Sequence, residues 1–342
     1  MKKLCILVAW MAAAAAAEVG AVPAAGQKVV RRVKVGGEGG WDYLTVDAAA
    51  RRLYVSRATR VLVFDADTLQ PAGEIANTDG VHGIALAPAL GRGYVSDGRS
   101  GTATIFDLKT LKTLAEVKVT GENPDAILYD DFSGRVFTFN GRSGNTTAIG
   151  AASEKVEGTL ALPGKPEFAQ SDGKGHVFVN IEDKSELVAF DPKTLTAAAP
   201  WPLAPCEEPS GMAIDRANGR LFIGCANSMM AVVDTASGRI VTTLPTGRGT
   251  DANGFDPETA LAYSSNGEGT LTIVHEDSPD RFHVVENVPT QRGARTMALD
   301  AKTHHVFVVT AEFGTPPAPT PDRPHPRPPI LPGTFLILEI GR

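Results

Sequence analysis

Short apolar stretches alternate with turn residues along nearly the whole chain, and the same order of stretches returns about every 42 residues. Each copy starts with an apolar strand that ends near an aspartate, followed by a tight turn and a second, aromatic-led strand. The first two copies read Leu44–Asp47 with Leu53–Ser56 and Ile84–Ala87 with Gly93–Ser96. First strands end at positions 47, 87, 130, 171, 215, 256 and 300. Regular self-similarity of this length indicates a repeat architecture.

A third and a fourth strand complete each copy. The third usually closes on an Asp-led turn, as in Val61–Phe64 before Asp65 and Leu187–Phe190 before Asp191. Aspartate is favoured at the first position of a type I turn. A fourth, alternating strand follows, for example Ile240–Leu244. Four short strands per repeat are typical of a propeller blade. The sequence therefore predicts an all-β, seven-bladed β-propeller with four antiparallel strands per blade.

The two ends of the chain predict how the ring closes. The seventh copy stops at its third strand, Phe335–Ile340, so this blade lacks one strand. The N-terminal strand 29–35 precedes the first copy, and its pairing with the C-terminal blade would remove an open sheet edge. We expect residues 26–342 to form a single propeller with a Pro-rich loop insert at 315–333. The insert is expected to be semi-rigid and is either a lid or docking arm at the channel mouth or a surface decoration.

The N-terminal 25 residues are predicted to be a signal peptide. Lys2 and Lys3 precede a short apolar run and small residues, with cleavage expected after Ala17 or Ala25. Glu18 interrupts the run, and no other stretch approaches the length of a membrane span. We therefore expect a mature chain without a membrane span, located in the periplasm or secreted.

Composition narrows the function classes. A hydrophobic content of 43% is enough for a core and excludes wholesale disorder, and the net charge of −6 argues against a nucleic-acid partner. The chain contains no Cys-x-x-Cys-His, His-Glu-x-x-His, Gly-x-Ser-x-Gly or Walker-type motif. Established motifs of haem attachment, zinc proteolysis, serine hydrolysis and phosphate binding are thus missing from the sequence.

The strand tags Tyr54-Val55-Ser56 and Tyr94-Val95-Ser96-Asp97, followed by Asp-x-x-Thr-Leu turns, resemble those of the YVTN-repeat (YncE-like) propellers of exported bacterial and archaeal surface proteins. The resemblance covers essentially the whole mature chain, although several blades depart from the tag. It implies the seven-bladed fold and export, and it implies no single activity, because a fold does not supply a site.

One position per blade is expected to face the mouth of the central channel. The candidate ligand-binding residues are Asp42, His82, Asp125, Glu167, Ser210, Asp251 and Arg295, with Glu312 from a loop between strands. Hard cations prefer oxygen ligands, so a Ca²⁺ or Mg²⁺ ion is the candidate cofactor. Its candidate ligands are Asp42, Asp125, Glu167 and Asp251. His82 is the candidate catalytic acid or base. A solvated ring of loop residues fits the same pattern, and both interpretations stay open.

Two cysteines remain after removal of the signal peptide. Cys206 precedes the first strand of blade five and Cys225 ends its second strand, so both are expected at the same edge of one blade. In an oxidising compartment this placement predicts a disulfide. A metal–thiolate site is the alternative, but it lacks further cysteines.

Two functions follow from these residues. The first is an exported binding or interaction propeller, expected to be a monomer, with a small-molecule or protein partner at the channel mouth formed by the loops entering the first strands. The alternative is a divalent-cation-dependent lactonase- or lyase-like enzyme that uses the same acidic mouth.

Overall fold

Alternation of apolar and polar residues within short strands produces seven antiparallel sheets arranged as the blades of a β-propeller. The computed structural model describes residues 26–320 and 326–342. The predicted fold class and blade number are confirmed. The predicted signal peptide lies outside the described residues.

The blades follow one another along the chain, and each is named here by its order. Blade one comprises the strands Trp41–Asp47, Arg52–Arg57, Arg60–Asp65 and Pro71–Ala76. Blade two comprises Val81–Ala87, Arg92–Asp97, Thr102–Asp107 and Thr113–Lys118. Blade three comprises Pro124–Asp130, Arg135–Asn140, Asn145–Gly150 and Lys155–Ala161. Blade four comprises Pro166–Ser171, Val177–Ile181, Glu186–Asp191 and the short Thr196–Ala197 and Trp201–Pro202. Blade five comprises Pro209–Asp215, Arg220–Cys225, Met229–Asp234 and Ile240–Pro245; blade six Thr250–Asp256, Leu261–Asn266, Thr270–Ser278 and Arg281–Pro289. Short 3-10 helices lie at Pro88–Leu90 and Glu182–Lys184.

Blade seven joins both ends of the chain, as predicted. Met297–Asp300, His305–Thr310 and Leu336–Gly341 are completed by Lys28–Lys34, which pairs antiparallel with the last of them. The partners Val29 and Ile340 lie opposite each other in this register. Pairing the termini satisfies the edge of the blade and closes the ring.

The hydrophobic core is divided among the interfaces between blades. The first strands of neighbouring blades contact one another and form the inner ring. At the closing interface, Leu44, Val55 and Phe64 of blade one pack with Phe307 and Val309 of blade seven. Each interface is therefore a packed pair of sheet faces, and burial of these faces stabilises the ring as a whole.

Asp-led turns connect the third and fourth strands of blades one, two, four and five, as the sequence predicts. Asp65 Oδ1 accepts hydrogen bonds from the backbone N–H groups of Asp67 at 3.1 Å and Thr68 at 2.8 Å and from the Thr68 hydroxyl at 2.8 Å. Asp107 makes the same set of contacts with Thr110 and its neighbour. Over the described residues, no helix is both long enough and apolar enough to span a bilayer.

Candidate functional site

A β-bulge near the start of six inner strands positions the predicted ring residues. In blade one, Trp41 pairs with Arg57 and Leu44 with Val55, so Asp42 and Tyr43 together oppose Ser56. The same irregularity recurs in blades two to six. Bulges of this kind redirect side chains. The expected loop position is corrected: six of the seven residues are second residues of inner strands, and only Arg295 precedes its strand.

His82 links two carboxylates of the ring. Its Nδ1 lies 2.6 Å from Asp42 Oδ2 and 3.5 Å from Asp125 Oδ1. One ligand atom from each of these three residues lies within 4.8 Å of the others, a spacing that fits a bound cation. Three blades therefore contribute to one cluster of potential ligands.

Arg295 links the other side of the ring. It forms an ion pair with Asp251, and its Nη2 lies 3.9 Å from Asp42 Oδ1. The Asp42 carboxylate thus lies between His82 and Arg295. The predicted residues Asp42, Asp125, Glu167, Asp251 and Arg295 all line one cavity of about 270 Å³.

Lys165, Tyr43 and Glu182 are among the side chains of this cavity that were not predicted. Lys165 Nζ lies 3.2 Å from Glu167 Oε2 and also pairs with Glu182. Tyr43, the second bulge residue of blade one, packs against Phe168 with the rings tilted and their centroids 5.4 Å apart. Glu182 follows a second strand, a position that the repeat pattern could have indicated, whereas Lys165 has no repeated equivalent.

Burial and mutual repulsion perturb the carboxyl groups of the ring. Burial, followed by the charge of Asp125, raises the pKa of Glu167 to about 8. Burial also raises the pKa of Asp125 and that of Asp251 to about 6, against the opposing influence of His82 and Arg295 respectively. These side chains retain some exposure toward the channel, but surrounding protein removes most of their hydration.

The negative charges of these carboxylates also act on the neighbouring imidazole of His82 and phenol of Tyr43. Burial alone would lower the pKa of His82, but the hydrogen bond to Asp42 and the charge of Asp125 raise it above its ordinary value. Burial and then the charges of Asp125 and Glu167 raise the pKa of Tyr43. The cavity therefore favours positive charge and disfavours additional negative charge.

The described part of the Pro-rich insert lies at the mouth. Arg327 lines the 270 Å³ cavity and also a wider cavity of about 890 Å³ bounded by Trp41, Phe313 and Arg295. Phe313 and Ile330 form an isolated β-bridge, and Gly314 N–H donates to the Pro329 carbonyl at 2.8 Å. The two ends of the insert are thus held together beside the channel.

A glycine-rich loop forms another wall of the wider cavity, and a buried arginine supports it. Gly37, Gly39 and Gly40 line this wall. Arg57, only 1% exposed, donates to the carbonyl of Gly39 and, at 3.3 Å, to that of Gly40. Its guanidinium lies 3.9 Å from the centre of the Phe335 ring. Burial lowers the pKa of Arg57 to about 10.

Two predicted residues lie apart from this cluster. Ser210 is buried and its hydroxyl donates to the Thr250 carbonyl at 2.9 Å, which joins blades five and six. Glu312 is exposed, and its backbone N–H donates to the Thr334 hydroxyl at 3.0 Å, whereas its carbonyl accepts from Leu331 at 2.9 Å. Neither side chain is among those lining the two cavities.

The predicted cysteine pair forms a disulfide. Cys206 and Cys225 have Cα atoms 5.4 Å apart, within the range for a disulfide. Both residues are buried in the core between blades four and five.

Comparisons with known proteins agree on the architecture. The chain is similar to a structure of Kuenenia stuttgartiensis hydrazine synthase, with 16% identity, a TM-score of 0.67, and coverage of 79% of this chain and 92% of that one. It is also similar to the structure of U3-55K, with 8% identity, a TM-score of 0.77, and coverage of 92% and 99%. The crystal structure of the RRP9 WD40 repeats is similar at 8% identity and a TM-score of 0.76, with coverage of 92% of this chain and 97% of that one.

These likenesses show the propeller fold. No protein-family model and no curated protein matches the chain in sequence. The resemblance to YVTN-repeat propellers therefore stays a prediction from the strand tags.

Proposed function

We propose that this chain is an exported binding propeller whose channel mouth holds a small ligand through a positively charged group. The observation that carries the proposal is the charge imbalance of the 270 Å³ cavity. Its carboxylates outnumber its Lys and Arg side chains by five to three. Burial raises the pKa values of Asp125, Glu167 and Asp251, and the surrounding carboxylates raise them further through this charge imbalance. A bound cation would relieve it.

Two kinds of ligand share this chemistry. A divalent metal ion would use Asp42, His82 and Asp125, whose mixed oxygen and nitrogen ligands suit Mn²⁺ and, with more water, Ca²⁺ or Mg²⁺. An organic ammonium ion would instead form hydrogen bonds with Asp125, Glu167 or Asp251. The wider cavity, with Trp41 and Phe313, offers an apolar wall for the remainder of such a molecule.

Export is part of the proposal. The basic, apolar and small-residue order of residues 1–25 supports it, and so does a disulfide, which persists in oxidising compartments. The resemblance to exported YVTN-repeat propellers points to the same location, periplasmic or secreted.

The test is a binding series on the mature chain. CaCl₂, MgCl₂, MnCl₂ and putrescine are titrated by calorimetry into the wild type, Asp125→Asn and Asp131→Asn. Asp131 is exposed at the turn after the first strand of blade three, and it supplies the matched loss of one charge away from the mouth. We expect at least one cation to bind, with roughly tenfold weaker affinity in Asp125→Asn only. Equal affinity in all three proteins, or no binding, would overturn the proposal.

The insert provides a second arm of this test. Because Arg327 borders both cavities, replacing 315–333 with a short Gly-containing turn should alter the affinity for whichever cation binds. Unchanged affinity would show that the insert is a surface decoration.

A lactonase- or lyase-like enzyme that depends on a divalent cation is the second candidate, favoured by the position of His82. Its Nδ1 faces Asp42. Its Nε2 lies so close to Gly98 that a Cβ atom added at residue 98 would be only 2.6 Å from it. His82 also lines a neighbouring cavity of about 480 Å³. Turnover of γ- and δ-lactones by the metal-loaded wild type and by His176→Gln, but not by His82→Gln, would support this candidate. No turnover by the wild type would remove it.

A further inference from the structure

The last two strands of blade six form a hairpin that is longer than those of the other blades. Thr270–Ser278 and Arg281–Pro289 contain nine residues each, and only Pro279 and Asp280 separate them. Ser278 pairs directly with Arg281 at the tip. The extra pairs extend the hairpin past the usual end of the blade.

Two histidines and an aspartate meet on one face of this hairpin. His275 and His283 are direct cross-strand partners, and Asp277 lies two residues beyond His275 on the same face. The Nδ1 atoms of the two imidazoles each lie 3.0 Å from an oxygen of Asp277. The imidazole centres are 5.6 Å apart. Backbone pairing thus fixes the spacing of all three side chains.

The opposite face of the hairpin is anchored to blade five. Phe282 packs against Phe222 with ring centroids 5.9 Å apart. Asn218 donates to Glu276 Oε1 at 3.0 Å, and Arg220 Nε donates to the Pro279 carbonyl at 2.6 Å. These contacts hold the hairpin in place, so the three side chains need little reorganisation to receive a ligand.

We propose that His275, Asp277 and His283 form a binding site for a divalent transition-metal ion, with Zn²⁺ as the best match. One ligand atom from each residue lies within 4.8 Å of the other two. Two imidazoles with one carboxylate suit Zn²⁺, and a water molecule completes a four-coordinate site. The site lies on the outer strands of blade six and is independent of the mouth.

Among the ion pairs of the described residues, Arg281 is the one Lys or Arg side chain that contacts this cluster. Its Nε lies 3.3 Å from Asp277 Oδ2, and its side chain is 66% exposed. The guanidinium neutralises the carboxylate and opposes a second positive charge. Since it is exposed, it can move into solvent when the metal binds. Arg281→Gln should therefore tighten metal binding.

The experiment measures Zn²⁺ binding by equilibrium dialysis on the full mature chain, with Co²⁺ absorption in the visible range as a second readout. All measurements are made in a His82→Gln background, which removes the histidine of the Asp42–His82–Asp125 cluster. Zn²⁺ bound by the blade-six site is then measured apart from Zn²⁺ bound by that cluster. In that background we expect one Zn²⁺ per chain. His275→Gln and His283→Gln should each weaken binding by about tenfold or more.

His176→Gln is the matched control, because His176 pairs with one carboxylate, Asp172, at 2.9 Å and belongs to no three-ligand cluster of the described residues. It should leave Zn²⁺ affinity unchanged. His283 is 45% exposed, so its replacement should preserve the fold, and unchanged melting checks this. Absence of a bound Zn²⁺ in His82→Gln, or full affinity in folded His283→Gln, would overturn the proposal.

Discussion

His82 Nδ1 lies 2.6 Å from Asp42 Oδ2, and this contact joins the inner strands of blades one and two at the channel mouth. Both side chains belong to bulge residues, which directly follow Trp41 and Val81. The pair therefore connects the local backbone irregularity of each repeat to the electrostatics of the whole ring.

The first prediction concerns Asp42→Asn. Loss of the charged hydrogen-bond partner removes a cause of the raised His82 pKa, so that pKa should fall. A side-chain NMR titration of His82 measures it directly. Asp131→Asn, at an exposed turn, should leave the titration unchanged. An unaltered His82 titration in Asp42→Asn would show that the pair does not control the imidazole.

The second prediction concerns the pH dependence of stability. The Glu167 pKa rises from an ordinary 4.5 to about 8, so between these values the folded chain holds a proton that the unfolded chain has lost. Its contribution to stability therefore falls as the pH rises, at up to about 1.4 kcal/mol per pH unit for one proton. Glu167→Gln should flatten the decline in unfolding free energy between pH 5 and 8. Parallel wild-type and variant profiles from denaturant titrations would contradict this assignment.

The third prediction concerns Arg57, which supports the glycine-rich wall of the wider cavity. Arg57→Met removes the donor to the carbonyls of Gly39 and Gly40 and should destabilise the fold by about 1–3 kcal/mol. Arg60→Met is the control, because the Arg60 side chain is 37% exposed and pairs with Glu74 at 3.7 Å. It should cost less than about 1 kcal/mol in chemical denaturation. Equal losses for the two variants would mean that the buried guanidinium contributes nothing special.

The fourth prediction concerns the disulfide. Cys206 and Cys225 are separated by 19 residues, and a loop of that length is expected to stabilise the fold by roughly 3 kcal/mol. Urea unfolding of the wild type with and without reductant isolates this contribution without a change of sequence. Alkylation followed by mass measurement must show two extra labelled thiols after reduction. Identical urea unfolding curves for the oxidised chain and for the chain that alkylation shows to be reduced would contradict the expected stabilisation.

The side chains that recur at one position per repeat were predictable from the sequence, as was the disulfide, whereas Arg57 and Lys165 were not. Asp42, His82, Asp125, Glu167 and Asp251 occupy equivalent positions, so the period alone brings them to one end of the inner ring. Arg57 occupies the place that Asp97 and Asn140 hold in other blades, and there Asp97 accepts a hydrogen bond from Thr104 at 2.7 Å within its own sheet.

The contacts of such single residues are made with segments outside their own strands. Arg57 meets the loop at 36–40 and, far along the chain, Phe335, and Lys165 meets Glu182. The repeat period does not encode the partners of Arg57. The bulges were also unpredicted, because their extra residue changes the strand pairing without interrupting the apolar pattern.

The central claim, a cation-binding mouth, is tested most directly by proton-linked calorimetry at pH 7. CaCl₂, MgCl₂, MnCl₂ or putrescine is titrated in two buffers of different ionisation enthalpy. Because the Glu167 pKa lies near 8, a cation bound beside it should release a fraction of a proton into the buffer. We expect this release in the wild type and a smaller release in Glu167→Gln. Absence of binding by all four cations, or equal proton release in the two proteins, would contradict it.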